Sequence, residues 1–243
     1  MKAILHHLAY ELASGFRDRA RLLMLYLFPL AYAALMGGLM GKLNPLFIER
    51  MIPALAVFSI MCGTFLSLPG RVVEERNAGI YRSYKINAVP RGAIVLVPVL
   101  ALLVHEAIAT LLIGLLSYLA FKAPLPADWP SFAAAWLLTL GAFSGLGWLI
   151  GTFAGSEAAA MLSAQVLFVP SIMLGGLTMP ESILPETMKR LARAFPATYA
   201  MDGFLGSDAN LSSLFILGGL CLFGLSASVL LFRWERRAAK ARH

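Results

Sequence analysis

Six apolar runs dominate this 243-residue chain, at roughly 22–41, 51–69, 93–121, 131–154, 160–179 and 211–232. Each is long enough to cross the hydrocarbon of a bilayer, which takes about 20 mostly apolar residues in a helix. Hydrocarbon offers nothing to backbone N–H and C=O groups, so a crossing segment satisfies them within a helix or in a closed barrel. Charged residues make up only 14% of the chain and its mean hydropathy is +0.77, whereas a soluble domain carries about a quarter charged residues. The fold class predicted is an all-α membrane protein with six spans in a single domain, residues 1–243. The first run is expected to be a span and not a cleaved leader. It is too long, it follows a charged amphipathic stretch, and no small-residue cleavage site comes after it.

The net charge of +7 is distributed as a topology signal, not as a nucleic-acid footprint. With the N-terminus in the cytoplasm, all but six of the 20 Lys and Arg fall inside. The six outside are Lys42, Arg50, Lys122, Lys189, Arg190 and Arg193. This bias predicts that both termini are cytoplasmic. Cys62 and Cys221 lie within predicted spans and read as small apolar residues, with no spacing for a disulfide scaffold or a metal site.

Residues 2–18 precede the first span as an amphipathic helix. Ile4, Leu5, Leu8, Leu12 and Phe16 share one face, with Lys2, His6, Glu11 and Arg17 elsewhere. The pattern fits a helix lying in the membrane interface or one packed on other protein. His6 and His7 are adjacent, so they point in different directions and are not expected to share a metal. Span 4 carries two glycine ridges, Gly141–Gly145 and Gly147–Gly151–Gly155, and span 1 ends on Gly37 and Gly41. Such ridges allow close helix contact without naming the partner.

Span 3 is long enough to tilt or protrude, and Pro98 is positioned to kink it. In its middle, His105 and Glu106 would lie near the bilayer centre, where an unpaired charge costs several kcal/mol. Two readings stay open: a proton or substrate site, or a protonated Glu106 hydrogen-bonded inside the bundle. Between Pro185 and Pro196, the apolar spacing of Met188, Leu191, Ala192 and Phe195 predicts a short amphipathic helix at the outer interface. It forms part of a re-entrant-like extracellular hairpin before the last span. The stems of Lys189, Arg190 and Arg193 would lie along lipid there.

Between spans 2 and 3 lies the polar island "RVVEERNAGIYRSYKINAVPRG", residues 71–92. Asn77 and Ala78 are expected to open a short helix with Glu74 and Glu75 at its positive end. Ile80, Tyr81, Tyr84 and Val89 give it an apolar face, and Pro90 ends it.

The run Glu75-Arg76-x-x-Gly79, then Arg82, then Pro90-Arg91 resembles the cytoplasmic coupling segment of ABC-2 type permeases, the membrane subunits of ABC exporters. Tyr81, Arg82 and Ser83 depart from the commoner Thr-Leu-Glu-type run. A second region agrees: Ser156-Glu157-Ala158, the mid-helix Pro170, Gly175-Gly176, Pro180 and Pro185, then Pro196-Ala197-Thr198-Tyr199. The likeness covers essentially the whole chain, and its second half looks most like the drug and antibiotic efflux branch.

The resemblance implies an ATP-driven exporter in a bacterial-type cytoplasmic membrane. Two such permeases would pair with two separate ABC ATPase subunits, which would hold the ATP and magnesium. The chain itself has no GxxxxGK[ST] phosphate loop and is not expected to be an enzyme. Glu75, Gly79, Arg82, Tyr84, Pro90 and Glu157 would couple to the ATPase. Tyr26, Phe28, Tyr32, Phe58, Phe65 and Phe168 in spans 1, 2 and 5 would border a path for an apolar or amphipathic compound, alongside Met36 and Met173. Pro29 and Pro170 would break their helices.

Three other classes compete, one of them a non-transporting membrane anchor for an ATPase, which ATPase-dependent substrate movement in vesicles would exclude. A secondary transporter driven by an ion gradient would rest on His105 and Glu106, yet no internal repeat is evident. An intramembrane serine protease would resemble its relatives in a G-x-S-G serine. Span 4 has "AFSG", with Ala142 at the first position, and span 6 has no histidine.

Overall fold

The computed structural model describes residues 2–178, 184–206 and 210–232. Pro180 and the tail cations Arg233, Arg236, Arg237, Lys240 and Arg242 lie outside the described residues. Those described are all-helical, with no strand. Six helices are long and apolar enough to span a membrane: Arg19–Gly41, Leu46–Asn77, Arg91–Phe121, Trp129–Phe153, Glu157–Leu174 and Leu211–Leu231, spans 1 to 6. Side-chain oxygens start four of these rods by accepting backbone N–H groups of the first turn. Asp18 caps span 1, Asn44 span 2, Asp128 span 4 and Ser156 span 5.

The prolines act differently from the sequence expectation. Span 1 widens into a π-helical turn at Leu23–Leu27, and span 2 does so at Cys62–Ser67. Each turn ends two residues before a proline, Pro29 and Pro69. Proline has no N–H, and its ring presses on the carbonyl four residues back, here that of Leu25 or Phe65. Widening the preceding turn relieves that pressure without breaking the rod. Pro170 lies inside the unbroken helix Glu157–Leu174, so neither Pro29 nor Pro170 ends a helix.

Span 2 is the axis of the bundle. In its most apolar stretch 83% is buried, against 22% in spans 1 and 5 and 17% in span 6. Those three outer spans therefore leave wide apolar faces for lipid or another chain. The glycines of span 4 face two different partners. A side chain at Gly141 or Gly145 would run into Cys221 or the backbone of Gly224 in span 6. One at Gly147 or Gly151 would meet Thr64, Pro69 or Val72 in span 2. The second ridge stops at Gly151, because the helix ends at Phe153 and leaves Gly155 outside it.

The N-terminal helix Lys2–Arg17 turns a polar edge to the protein. Glu11 is 3% exposed and Gly15 packs against His105, while Tyr10 and Phe16 are exposed. This helix has a protein-facing ionic side as well as an apolar one. Beyond span 5, Glu186–Ala192 forms as the spacing predicts, and a second short helix, Pro196–Leu205, follows it. Two of the three cations there pair with acids instead of lying along lipid. Lys189 reaches Glu186 at 2.8 Å and Arg193 reaches Asp202 at 2.8 Å.

Candidate functional site

The turn between spans 2 and 3 differs from its sequence reading at both ends. Span 2 continues to Asn77, so Glu74 and Glu75 sit on its last turns and not at the start of the next helix. Gly79 then takes φ +74°, a left-handed conformation open to a residue without Cβ, and the short helix Ile80–Ile86 leaves in a new direction. That helix closes at Asn87, whose side-chain amide donates to the Ser83 carbonyl at 2.9 Å. Pro90 does not end it but stands at the N-terminus of span 3.

This short helix is seated and not free to swing. Tyr81 is 1% exposed, buried among Leu68, Val72, Ile94, Trp148 and Phe232, with the Phe232 ring edge-on at 4.9 Å. Burial, and then the nearby Glu75 carboxylate, push the Tyr81 phenol well above its ordinary range, so it stays neutral. The opposite face, with Arg82 and Lys85, is exposed.

Two ionic devices hold this end of the bundle together. Arg76, 8% exposed, donates to the carbonyls of Gly151, Thr152 and Ala154 at 3.1, 2.9 and 2.6 Å. It satisfies the orphan carbonyls at the end of span 4 and sets a positive charge at the negative end of that helix. Because Ser156 caps span 5 only two residues later, Arg76 also fixes where Glu157 begins that helix. Second, Arg71 bridges two carboxylates. Its Nη2 donates to both Glu11 oxygens at 2.5 and 2.6 Å, and its Nε donates to Glu75 at 2.6 Å. The short helix joins this network through Tyr84, whose hydroxyl lies 3.2 Å from His7 Nε2. Burial, then Glu75 and Glu11, raise the Tyr84 phenol, which keeps its proton.

Glu75, Gly79, Arg82, Tyr84, Pro90 and Glu157 therefore converge on one end of the bundle. Glu75 and Tyr84 are turned toward the protein's own network, whereas Arg82 and Glu157 are exposed. Sequence reasoning missed Glu11, His7 and Arg71 as a unit. Arg71 and Glu11 are 60 positions apart, and no local pattern announces that pairing.

The six aromatics divide three ways. Phe28 and Tyr32 of span 1 and Phe168 of span 5 gather around Phe58 of span 2, which with Phe168 is buried in the bundle. Tyr32 stacks on Phe58 at 3.9 Å, with Phe28 and Phe168 at 5.7 and 5.9 Å from the same ring. Phe65 instead stacks on Phe143 of span 4 at 5.1 Å, and Tyr26 turns to His105.

His105 and Glu106 are both fully buried and face different neighbours. The Tyr26 hydroxyl lies 2.8 Å from His105 Nδ1, while the ring's other edge packs on Gly15 and Phe16. Glu106 accepts from the Ser59 hydroxyl at 2.7 Å, and its second oxygen rests against Gly63. Both π-helical turns thus touch the pair, through Tyr26 in one and Gly63 in the other. Glu106→Gln keeps an acceptor for Ser59, so folding and transport should be unchanged across a pH series. Transport that falls and loses its pH dependence would give Glu106 a proton-carrying role instead.

A family model described as ABC-2 type transporter matches residues 3–208. The chain is also 26% identical over 196 residues, 77% of each chain, to the protein named "Putative transport permease YvfS" in Bacillus subtilis (strain 168). Six apolar helices, a seated helix between spans 2 and 3, and this match over most of the length agree: the chain belongs to the ABC-2 type transporter family and is a membrane subunit of an ABC transporter.

Proposed function

We propose that the chain exports an apolar or amphipathic compound from a bacterial-type cytoplasmic membrane, of the kind handled by drug and antibiotic efflux systems. It works as one of two permease copies joined to two separate ABC ATPase subunits, which hold the ATP and magnesium. Both termini and the 71–92 turn face the cytoplasm, and the connection from span 5 to span 6 forms a hairpin at the outer surface. ATPase closure pushes the Ile80–Ile86 helix, and the spans switch between inward- and outward-facing states. A switch of this kind draws on a difference in ATPase contacts between the two states.

The observation that carries this reading is the seating of Ile80–Ile86. A helix anchored by Tyr81 and tied through Tyr84 to the Glu11–Arg71–Glu75 network transmits displacement, where a loose loop would absorb it. Its outward Arg82 and Lys85 suit an acidic groove on the ATPase. Phe28, 38% exposed, and the half-buried Tyr32 are the open part of an aromatic cluster whose Phe58 and Phe168 are buried, and they suit an apolar cargo of varied shape. The cation bias supports the orientation. The ion-gradient alternative has less support: the family match favours ATP drive, and His105 and Glu106 bond different neighbours, Tyr26 and Ser59, instead of each other.

Co-purification with the cognate ATPase tests the coupling. Arg82→Glu with Lys85→Glu places like charges across the groove and should weaken binding more than ten-fold, since such juxtapositions cost several kcal/mol. Normal binding and normal stimulation of ATP hydrolysis by that variant would remove the docking assignment.

A further inference from the structure

A cleft of about 310 Å³ opens between spans 3 and 4 near the Phe121–Trp129 connection, with none of the Phe58 aromatic cluster in its lining. Its lining includes Thr110, Gly114, Leu115, Tyr118, Trp129 and Phe132. Gly114 makes the recess, since a Cβ there would meet nothing within 4 Å. Thr110, its one hydroxyl-bearing aliphatic residue, already accepts from the Trp136 indole at 3.0 Å. What remains is hydrocarbon surface. Leu115, Tyr118 and Trp129 are 55%, 48% and 54% exposed, so the cleft opens sideways to the surroundings of the bundle.

We infer that this cleft holds one acyl chain of an anionic phospholipid, with its phosphate over Lys122. Four features of the site select that occupant. From Thr110 to Tyr118 the cleft runs eight residues along a helix, about 12 Å, close to one leaflet of a roughly 30 Å hydrocarbon layer. At about 30 Å³ for a water-sized group, its volume takes roughly ten such groups, a large part of one lipid tail. Tyr118 and Trp129 stand together at the open end, as aromatic side chains do at headgroup level. One turn beyond Tyr118, the exposed Lys122 provides the cation. Asp128, six residues on, is held at the start of span 4 by the backbone N–H and hydroxyl of Ser131, so its carboxylate is committed to capping that helix and not to Lys122. The inference rests on the membrane-embedded fold alone and is independent of cargo and ATPase.

The test uses the full chain, delipidated in detergent and titrated with phosphatidylglycerol brominated on one acyl chain, with tryptophan fluorescence as the readout. Quenching should saturate near one lipid per chain, and Trp129→Phe should remove most of the change. Gly114→Phe fills the recess and should abolish saturation while leaving the unfolding temperature unchanged. Lys122→Gln should weaken the anionic lipid about five-fold, from the attraction expected of one lysine near a charged headgroup. Brominated phosphatidylcholine should bind both chains equally. Quenching that rises without saturating, or that Gly114→Phe leaves intact, would reduce the cleft to ordinary lipid contact. A disulfide-linked dimer formed by Leu115→Cys, with no quenching, would assign it to a second copy.

Discussion

Arg71→Met destabilises the protein by about 3 kcal/mol and releases the N-terminal helix, because removing one partner of a buried ion pair strands the others. Glu11 is 3% exposed and Glu75 16%, and both accept from this guanidinium, Glu11 at Nη2 and Glu75 at Nε. Without it, two carboxylates face each other, with buried Arg21 the remaining cation close by. Arg71 is itself 18% exposed, so the cost falls at the lower end of the range for enclosed pairs. Arg71→Lys should be intermediate, because an ammonium cannot span two carboxylates as a planar fork does. Thermal unfolding in detergent measures the stability, and protease cutting between Arg17 and Arg21 reports release of the helix. Coupling should fail along with it: ATP hydrolysis continues but transport falls, because Tyr84 loses its link through His7. An Arg71→Met protein that unfolds normally and keeps its N-terminal helix protected would show that the network contributes nothing.

The second large effect lies where spans 4 and 6 cross. A Cβ at Gly145 would stand 2.7–2.9 Å from backbone atoms of Gly224 and Leu225, and one at Gly224 would stand 3.0 Å from the Gly145 Cα. Backbone cannot rotate aside, so the two helices must separate. Separation also breaks the bond from the Ser228 hydroxyl to the Gly145 carbonyl at 3.2 Å. Gly145→Ala should cost about 2 kcal/mol as overpacking, and Gly145→Leu should prevent accumulation of folded protein. Gly38→Ala is the control, because nothing lies within 4 Å of a Cβ at that position. Expression level and monodispersity in detergent give the comparison. Equal yields from Gly145→Leu and Gly38→Ala would mean that the crossing is looser than its geometry.

Glycine placement shows how far local pattern reaches. That span 4 carries two small-residue ridges can be read from spacing alone, since helical periodicity decides which residues share a face. That one ridge receives span 6 and the other span 2 cannot, because the partner is chosen by packing among six similar rods. The 71–92 turn repeats the lesson. Its charge, glycine and proline mark a break between spans, yet the helix boundary falls at Gly79 because span 2 continues through Glu74 and Glu75 to bring Arg71 and Arg76 to their partners. The aromatics were legible as a set, and only tertiary structure separates the four that meet from Phe65 and Tyr26.

What the sequence determined by itself is the class of the protein: six helices in a bilayer, with a polar turn of family-like pattern between the second and third. Apolar length and charge are summed along the chain, so they survive any arrangement of the helices. Tertiary structure alone decided which charges are paired. A guanidinium in span 2 becomes the clamp for a helix 60 residues earlier only once folding brings them within hydrogen-bonding distance, and desolvation there makes the pairing obligatory.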